Sequence, residues 1–142
     1  MTVKQLSVFV ENRRGRLGEV LAVLKAHEVN ILSMSLADTT EYGLLRLIVS
    51  DAERGRESLI AAGFSSMVTD VLIIKIPHRA GSLQEILEVI AAREISVEYM
   101  YGLSVGTEDA CVVMKTGDLA LAMTVLRENG ISTLTTEELA AL

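Results

Sequence analysis

The sequence ENRRGRLGEVLAVLKAHEVN at residues 11–30 returns in altered form as PHRAGSLQEILEVIAAREIS at residues 77–96. In both stretches a loop with polar and charged residues leads to a glycine in the fifth position, and apolar residues then recur every three or four positions. That spacing is typical of one face of an α-helix. A single constant shift aligns Gly15 with Gly81 (81 − 15 = 66) and the apolar positions with one another. The two stretches therefore predict a chain built from two related units.

The same shift relates a longer segment of the chain. From residue 11 to residue 51 it produces nine identities in 41 aligned pairs, whereas chance would give roughly two to four. The glycine, and the arginine at Arg13 and Arg79, are not required by helix amphipathicity, so a shared helical pattern alone does not explain the match. We interpret the chain as a duplication with units at residues 1–69 and 70–142.

Each unit shows the order strand, helix, strand, strand, helix, strand. In the first unit, residues 3–10 are rich in β-forming residues and precede the amphipathic helix. Residues 30–37 and 44–49 are two further strands separated by a turn, and Gly63 ends the second helix as a typical C′ glycine. Two such βαββαβ units predict an α+β fold with two antiparallel sheets, each carrying its helices on one face.

The middle strands, Leu44–Val49 and Ala110–Met114, are apolar at nearly every position. A strand with one solvated face alternates between polar and apolar residues, so these strands are expected to be covered on both faces. The helices of a unit cover one face, and the other is expected to meet the sister unit or another chain. Because a unit of about 70 residues is also marginally stable alone, we expect a homodimer.

The composition limits the classes of function. Half of the 142 residues are hydrophobic and only one is proline, which is typical of a folded chain. The net charge of −6 argues against nucleic-acid binding. A single cysteine excludes a disulfide framework, and no apolar run approaches the roughly 18 residues needed to cross a membrane. The N-terminus lacks a signal-peptide pattern, so we expect a cytoplasmic protein without a membrane or nucleic-acid partner.

Residues that could support catalysis are sparse and poorly spaced. His27 and His78 lie 51 positions apart, and no metal-binding, P-loop or nucleophile-elbow motif is present. Cys111 lies on an inner strand and is expected to be buried, while Glu19 and Glu85 are expected to be solvated. We therefore expect neither an enzyme nor a cofactor.

The loop before the first helix of each unit has features of a ligand site. A glycine there permits positive φ and a close approach of a ligand to the backbone. The helix start offers N–H groups and a partial positive charge to a carboxylate. Asn12 and His78 add hydrogen-bonding side chains at matching positions. The alternative interpretation is that a tight strand-to-helix turn needs glycine for steric reasons alone.

A polar residue, two further positions and then Gly-x-Leu at the start of a helix inside βαββαβ resembles the ACT domain. The matching segments are Gly15-Arg16-Leu17 and Gly81-Ser82-Leu83, and the resemblance covers both units. It implies ferredoxin-like domains that bind small ligands, usually amino acids, at interfaces between paired domains. The family often has proline before the glycine, whereas Arg14 and Ala80 occupy that position here.

In that family the ligand lies against the loop and the start of the second strand, across a domain junction. Carried over by position, the resemblance implies ligand-binding residues Asn12, Arg14, Gly15, Arg16, Leu17, Ser33 and Met34 in the first unit, and His78, Ala80, Gly81, Ser82, Leu83, Tyr99 and Met100 in the second. The alternatives are solvated charges for the arginines, core packing for the two methionines, and a half-buried interface position for Tyr99.

These observations favour an amino-acid-binding regulatory module of amino-acid metabolism. The alternative is a regulatory subunit that acts mainly by binding a partner enzyme, such as an amino-acid biosynthetic enzyme. A small enzyme on the same fold is a third interpretation, which no motif supports.

Overall fold

The computed structural model describes residues 1–38, 41–103 and 109–141. The strands and helices within them are β1 Val3–Glu11, α1 Arg16–Ala26, β2 Ile31–Asp38, β3 Tyr42–Val49, α2 Ala52–Ala61, β4 Ser66–Pro77, α3 Ser82–Ala91, β5 Val97–Leu103, β6 Asp109–Thr116, α4 Leu119–Glu128, β7 Ser132–Thr133 and α5 Thr136–Ala140.

The chain forms two compact units, residues 4–69 and residues 70–142 together with residues 1–3. The division falls inside β4, whose first residues complete the first unit and whose remainder begins the second. The sequence pattern predicts two separate strands here, at residues 64–68 and 71–76. The structure has one strand instead, because residues 66–76 contain neither glycine nor proline to interrupt the extended backbone.

Both units have the same sheet topology. The first has the strand order β2-β3-β1-β4, and the second has β5-β6-β4-β7. Leu47 of β3 lies opposite both Leu6 of β1 and Met34 of β2, in antiparallel pairs. In the second unit Met114 of β6 lies opposite both Leu72 and Met100. The predicted α+β fold of two ferredoxin-like units is therefore confirmed.

Each unit has a core between its two main helices and one face of its sheet. In the first core, apolar side chains of α1 and α2 pack with those of β1 and β3; its fully buried members are Leu6, Val8, Val20, Leu24, Leu45, Leu47 and Leu59. The second core has the same construction, with Ile86 and Ile90 of α3 and Val125 of α4 over β4 and β6. Burying one such side chain contributes about 1.5–3 kcal/mol relative to exposure.

The number of positions that separates corresponding residues of the two units increases by one along the chain. Leu45 lies opposite Val8, and Val112 lies opposite Ile74, so Leu45 corresponds to Val112 (112 − 45 = 67) while Val8 corresponds to Ile74 (74 − 8 = 66). The second unit thus has one extra position before its third strand. If the shift that aligns Gly15 with Gly81 is continued to the third strand, it pairs Leu45 with Cys111. The structure shows that this pairing is wrong by one position. Cys111 is nevertheless buried, as expected.

Each middle strand has a residue that is fully buried on the sheet face away from the helices within a single chain, although Leu44, Arg46 and Lys115 on those faces are only half-buried. Ile48 and Val113 lie on the sheet faces opposite Leu47 and Met114 of the two cores, and both are 0 % exposed. Their burial therefore requires no second chain, and any argument for a dimer depends on other residues.

The C-terminus adds a short helix that the sequence pattern does not predict. Thr135 caps α5, since its Oγ1 accepts a hydrogen bond of 3.1 Å from the Glu138 N–H, and Leu139 is buried. No helix in the described part of the chain is long and apolar enough to cross a membrane. Among the same residues, no group of three or more His, Cys, Asp or Glu side chains is arranged to hold a metal ion.

Glu28 and Glu94 occupy the same position after α1 and α3, with φ of 56° and 58°. Left-handed backbone is unfavourable for a residue with a side chain, so we expect Glu28→Gly and Glu94→Gly each to raise the free energy of unfolding by about 0.5–1 kcal/mol. Urea titration measures this. Glu57→Gly, an exposed position inside α2, is the control and should lower stability by about 1 kcal/mol. A loss of stability at Glu28 and Glu94 comparable to that control would contradict the expectation.

Candidate ligand-binding site

The first helix of each unit begins differently from the second. Asp51 and Asp118 cap α2 and α4 by accepting hydrogen bonds from backbone N–H groups three residues later, at 3.1 and 3.0 Å. By contrast α1 and α3 begin at Gly15 and Gly81, with φ of 84° and 88° and no side-chain cap. The Arg16 and Ser82 N–H groups donate to the Arg13 and Arg79 carbonyl groups at 3.3 Å. No side chain caps the N–H groups that follow in these first turns, which is the arrangement that can accept an anionic ligand.

The glycines also leave open space before each helix. A Cβ atom built on Gly15 or Gly81 meets no heavy atom within 4 Å. Glycine is therefore required by the left-handed φ and not by crowding within the chain. This arrangement gives a ligand direct access to the backbone.

A cavity of about 300 Å³ lies beside the first loop. Of the predicted site residues, Asn12 and Leu17 line it. The remaining described lining residues come from the end of β1, the loop that follows it, the end of β2 and the start of β3; they are Val10, Glu11, Arg13, Leu36, Ala37, Asp38 and Gly43. The cavity therefore combines an apolar wall with the charged side chains of Glu11, Arg13 and Asp38. Leu17 belongs to the first turn of α1, whereas Arg14, Gly15 and Arg16 do not line the cavity.

Ser33 and Met34 do not line this cavity. Gly43 lies opposite both Val10 and Asp38, which places the end of β2 beside the loop. Ser33 lies five residues earlier, and at about 3.3 Å per residue that is roughly 16 Å away along the strand. The predicted contact with the start of β2 is thus not made within one unit.

The two predicted arginines of the first loop have different environments. Arg14 is exposed. The Arg16 guanidinium lies 4.4 Å from the centroid of the Phe64 ring and forms ion pairs with Glu11 and Glu19. Arg16 is thereby engaged by side chains of its own unit.

The second loop has the same backbone with different side chains. His78 and Ala80 are exposed, Leu83 and Met100 pack against the second core, and Tyr99 is half-buried. Ser82 is buried, and its Oγ has no hydrogen-bond partner among the described residues. Residues 104–108, between β5 and β6 in the sequence, are outside the described residues.

Sequence reasoning missed the wall of the first cavity that Leu36, Ala37, Asp38 and Gly43 form. The topology contained the necessary signal. Since β1 and β2 both run antiparallel to β3, they are parallel to each other, and their C-terminal ends meet at the same edge of the sheet. The topology therefore predicts that the end of β2 lies beside the loop at this edge of the sheet.

The structure has two ferredoxin-like units, each with a Gly-x-Leu loop before a helix that no side chain caps. These are the features of an ACT domain, and the sequence comparison gives the same class. The family model described as an ACT domain pair matches residues 1–142, and this chain belongs to that family. No curated protein sequence matches the chain.

Solved structures agree with the assignment. The crystal structure of a protein from Bacteroides thetaiotaomicron is 34% identical to this chain, with a TM-score of 0.93, and the match covers 100% of this chain and 98% of that one. The ligand-free regulatory subunit of aspartate kinase from Thermus thermophilus has a TM-score of 0.63 at 13% identity, over 88% of this chain and 91% of that one. The second likeness shows the fold alone.

The contact between Arg16 and Phe64 should be measurable as a coupling energy. We expect a double-mutant cycle of Arg16→Met and Phe64→Leu, followed by urea unfolding, to give about 0.5–1 kcal/mol, because a guanidinium over a ring is attracted to its π face. Arg54→Met, at an exposed arginine of α2, combined with Phe64→Leu is the control and should be additive. Additivity for Arg16 and Phe64 as well would contradict the proposed interaction.

Proposed function

We propose that this chain is a regulatory module that binds an amino acid at the cavity beside the first loop. The observation that carries the proposal is the uncapped start of α1 next to the end of β2. An amino acid needs hydrogen-bond donors for its carboxylate and acceptors for its ammonium group. The first-turn N–H groups behind Gly15 are the donors, and the Asp38 carboxylate, with backbone carbonyl groups at this strand end, is the acceptor.

The size and lining of the cavity favour a small ligand with an apolar side chain. A volume of about 300 Å³ is at the lower end of the roughly 300–1,000 Å³ found for ligand pockets. Val10, Leu17 and Leu36 give it an aliphatic wall, while Asn12 adds a hydrogen-bonding side chain. An aliphatic amino acid satisfies all three features.

We further propose that a second copy of the chain completes this site. β2 is the edge strand of its sheet, and its core-face side chains Met34 and Leu36 are 41% and 51% exposed. An exposed apolar edge strand is a ready surface for pairing with another strand. If two copies pair antiparallel along β2, the start of one strand lies against the end of the other. Ser33 and Met34 of the second copy then approach the loop of the first, as the family resemblance implies.

The regulatory part of the proposal is supported by fold analogy alone, through the Thermus structures named as regulatory subunits. The alternative function, regulation mainly through a partner enzyme, follows from the same analogy. The two are separated by whether the purified chain binds an amino acid without a partner. A cytoplasmic location belongs to the same proposal, since the single cysteine forms no disulfide.

A thermal-shift screen over the proteinogenic amino acids tests the ligand site. We expect at least one aliphatic amino acid to raise the melting temperature, following the mass-action stabilisation of about 2.7 kcal/mol at a hundredfold excess over Kd. Gly15→Val should abolish the shift, because a β-branched side chain resists positive φ and occupies the ligand's space.

Gly63→Val is the matched control for backbone strain. Gly63 also has a positive φ, of 92°, with open space around it, but it lies at the end of α2 and not in the loop between Asn12 and Leu17, which both line the cavity. Both variants should lose stability by about 1–3 kcal/mol, while only Gly15→Val loses binding. An equal loss of binding in both variants would show that backbone strain, and not a contact at the loop, explains the effect. If no amino acid shifts the melting temperature of the unmodified chain, the proposal of an amino-acid ligand is refuted.

Light scattering during gel filtration tests the dimer. We expect a mass near twice 15.4 kDa, and a monomer for Met34→Lys, because a charge on an edge strand opposes pairing. Ile60→Lys is the control, since Ile60 is an apolar residue of α2 with a similar exposure of 49%. A monomeric unmodified chain, or equal dissociation by both variants, would contradict pairing along β2.

A further inference from the structure

The second unit contains a cavity of about 480 Å³ next to the loop between β4 and α3. It lies on the helix side of that loop, whereas the cavity of the first unit lies beside the end of β2 and the start of β3. It lies between the end of β4, the first turns of α3 and the turn that follows α4. Residues of β5 do not line it, so it differs in position from the site proposed in the first unit. Its apolar wall consists of Ile76, Pro77, Ile86, Val89 and Ile131.

The duplication explains how this cavity arises. Arg16 corresponds to Ser82 by the shift that aligns the two loops. Phe64 corresponds to Ile131, because each N–H donates a hydrogen bond of 2.9 Å to the leucine carbonyl five positions earlier, at Leu59 and at Leu126. In the first unit the Arg16 guanidinium lies over the Phe64 ring and occupies this space. The second unit has two smaller side chains at the same positions.

The smaller side chain leaves a buried polar group without a partner. Ser82 lines the cavity and is only 3% exposed, and its Oγ has no hydrogen-bond partner among the described residues. A buried hydroxyl is unfavourable unless it is hydrogen-bonded. Ser82 is also the first residue of α3, whose start has no side-chain cap. The hydroxyl and the helix start are together a place for a hydrogen-bonding anionic group.

The charges around the cavity also favour an anion. Phe9 and Glu11 of the first unit correspond to Lys75 and Pro77 of the second. At these two positions the second unit therefore loses an acidic side chain and gains a lysine. Arg79 and Glu85 also line the cavity, and they form an ion pair of 3.1 Å with each other. The lining therefore has two cationic side chains and one acidic side chain.

We propose that this cavity binds a small carboxylate with a branched aliphatic body, independently of the amino acid at the first loop. The carboxylate lies at the Ser82 hydroxyl and the start of α3, within the field of Lys75 and Arg79. The aliphatic body packs against Ile86 and Ile131. The apolar wall distinguishes this ligand from a bare inorganic anion, which would leave that wall uncovered.

Methyl NMR of the full chain, labelled at isoleucine δ1 carbons, tests the proposal. We expect 3-methylbutanoate, titrated to about 10 mM, to shift the Ile76, Ile86 and Ile131 methyl signals in a saturable way. The same concentration of 3-methylbutylamine, which has a positive charge on a matched body, should not shift them. Absence of saturable shifts, equal binding of the amine, or equal binding of inorganic phosphate would each overturn the proposal.

Substitutions copied from the first unit locate the site. Ser82→Arg refills the cavity with the side chain that occupies it in the first unit, and we expect an affinity loss of at least about tenfold. Ile131→Phe restores the other large side chain and should also weaken binding. It tests the site even if Ser82→Arg does not fold.

Ser82→Ala keeps the space and should weaken binding less than Ser82→Arg. Gly15→Val should leave binding of 3-methylbutanoate unchanged. Folded Ser82→Arg or Ile131→Phe protein with unmodified affinity, or a matching loss in Gly15→Val, would refute the assignment.

Discussion

The left-handed glycine at the start of α1 and α3 is the constraint on which the rest of each unit depends. At φ near 85° the chain turns sharply out of the strand, and the helix returns over the same sheet face. That return places Val20 and Leu24, or Ile86 and Ile90, into the core. A glycine cannot supply a side-chain cap, so the turn that builds the core also leaves the helix start without one. The same turn therefore determines both how the helix packs and where the candidate anion site lies.

The fold was predictable from the sequence because its signals are local and occur twice. Helical spacing, strand composition and the caps at Asp51 and Gly63 all act within a few residues. The continuity of β4 was not predictable, because polar Thr69 and Asp70 resemble a linker between two strands. In the structure the Thr2 hydroxyl donates a hydrogen bond of 3.3 Å to the Asp70 carboxylate, a contact across 68 residues that no local pattern contains.

The candidate site was predictable in part. The loop residues follow from the Gly-x-Leu motif, and two of them, Asn12 and Leu17, line the first cavity. The opposite wall depends on the pairing of Asp38 with Gly43 and of Gly43 with Val10, which is long-range information. Arg16 shows the same limit. Its charge and position suggest a ligand contact, but its neighbour Phe64 lies beyond two strands and a helix in the sequence, and only the structure reveals that the guanidinium is already occupied.

The two units have the same backbone but different side chains beside the first helix of each unit. In the first unit Arg16, Phe64, Glu11 and Glu19 fill the space beside the helix with the chain's own ion pairs and ring contact. In the second unit serine and isoleucine at the matching positions leave the space open and a hydroxyl unpartnered among the described residues. Such a hydroxyl destabilises the empty unit, and a ligand that satisfies it recovers that free energy on binding. We therefore expect the first unit to be stable without a ligand, and the stability of the second unit to depend on whether the proposed ligand is bound. On this proposal, two units with the same backbone respond differently to small molecules.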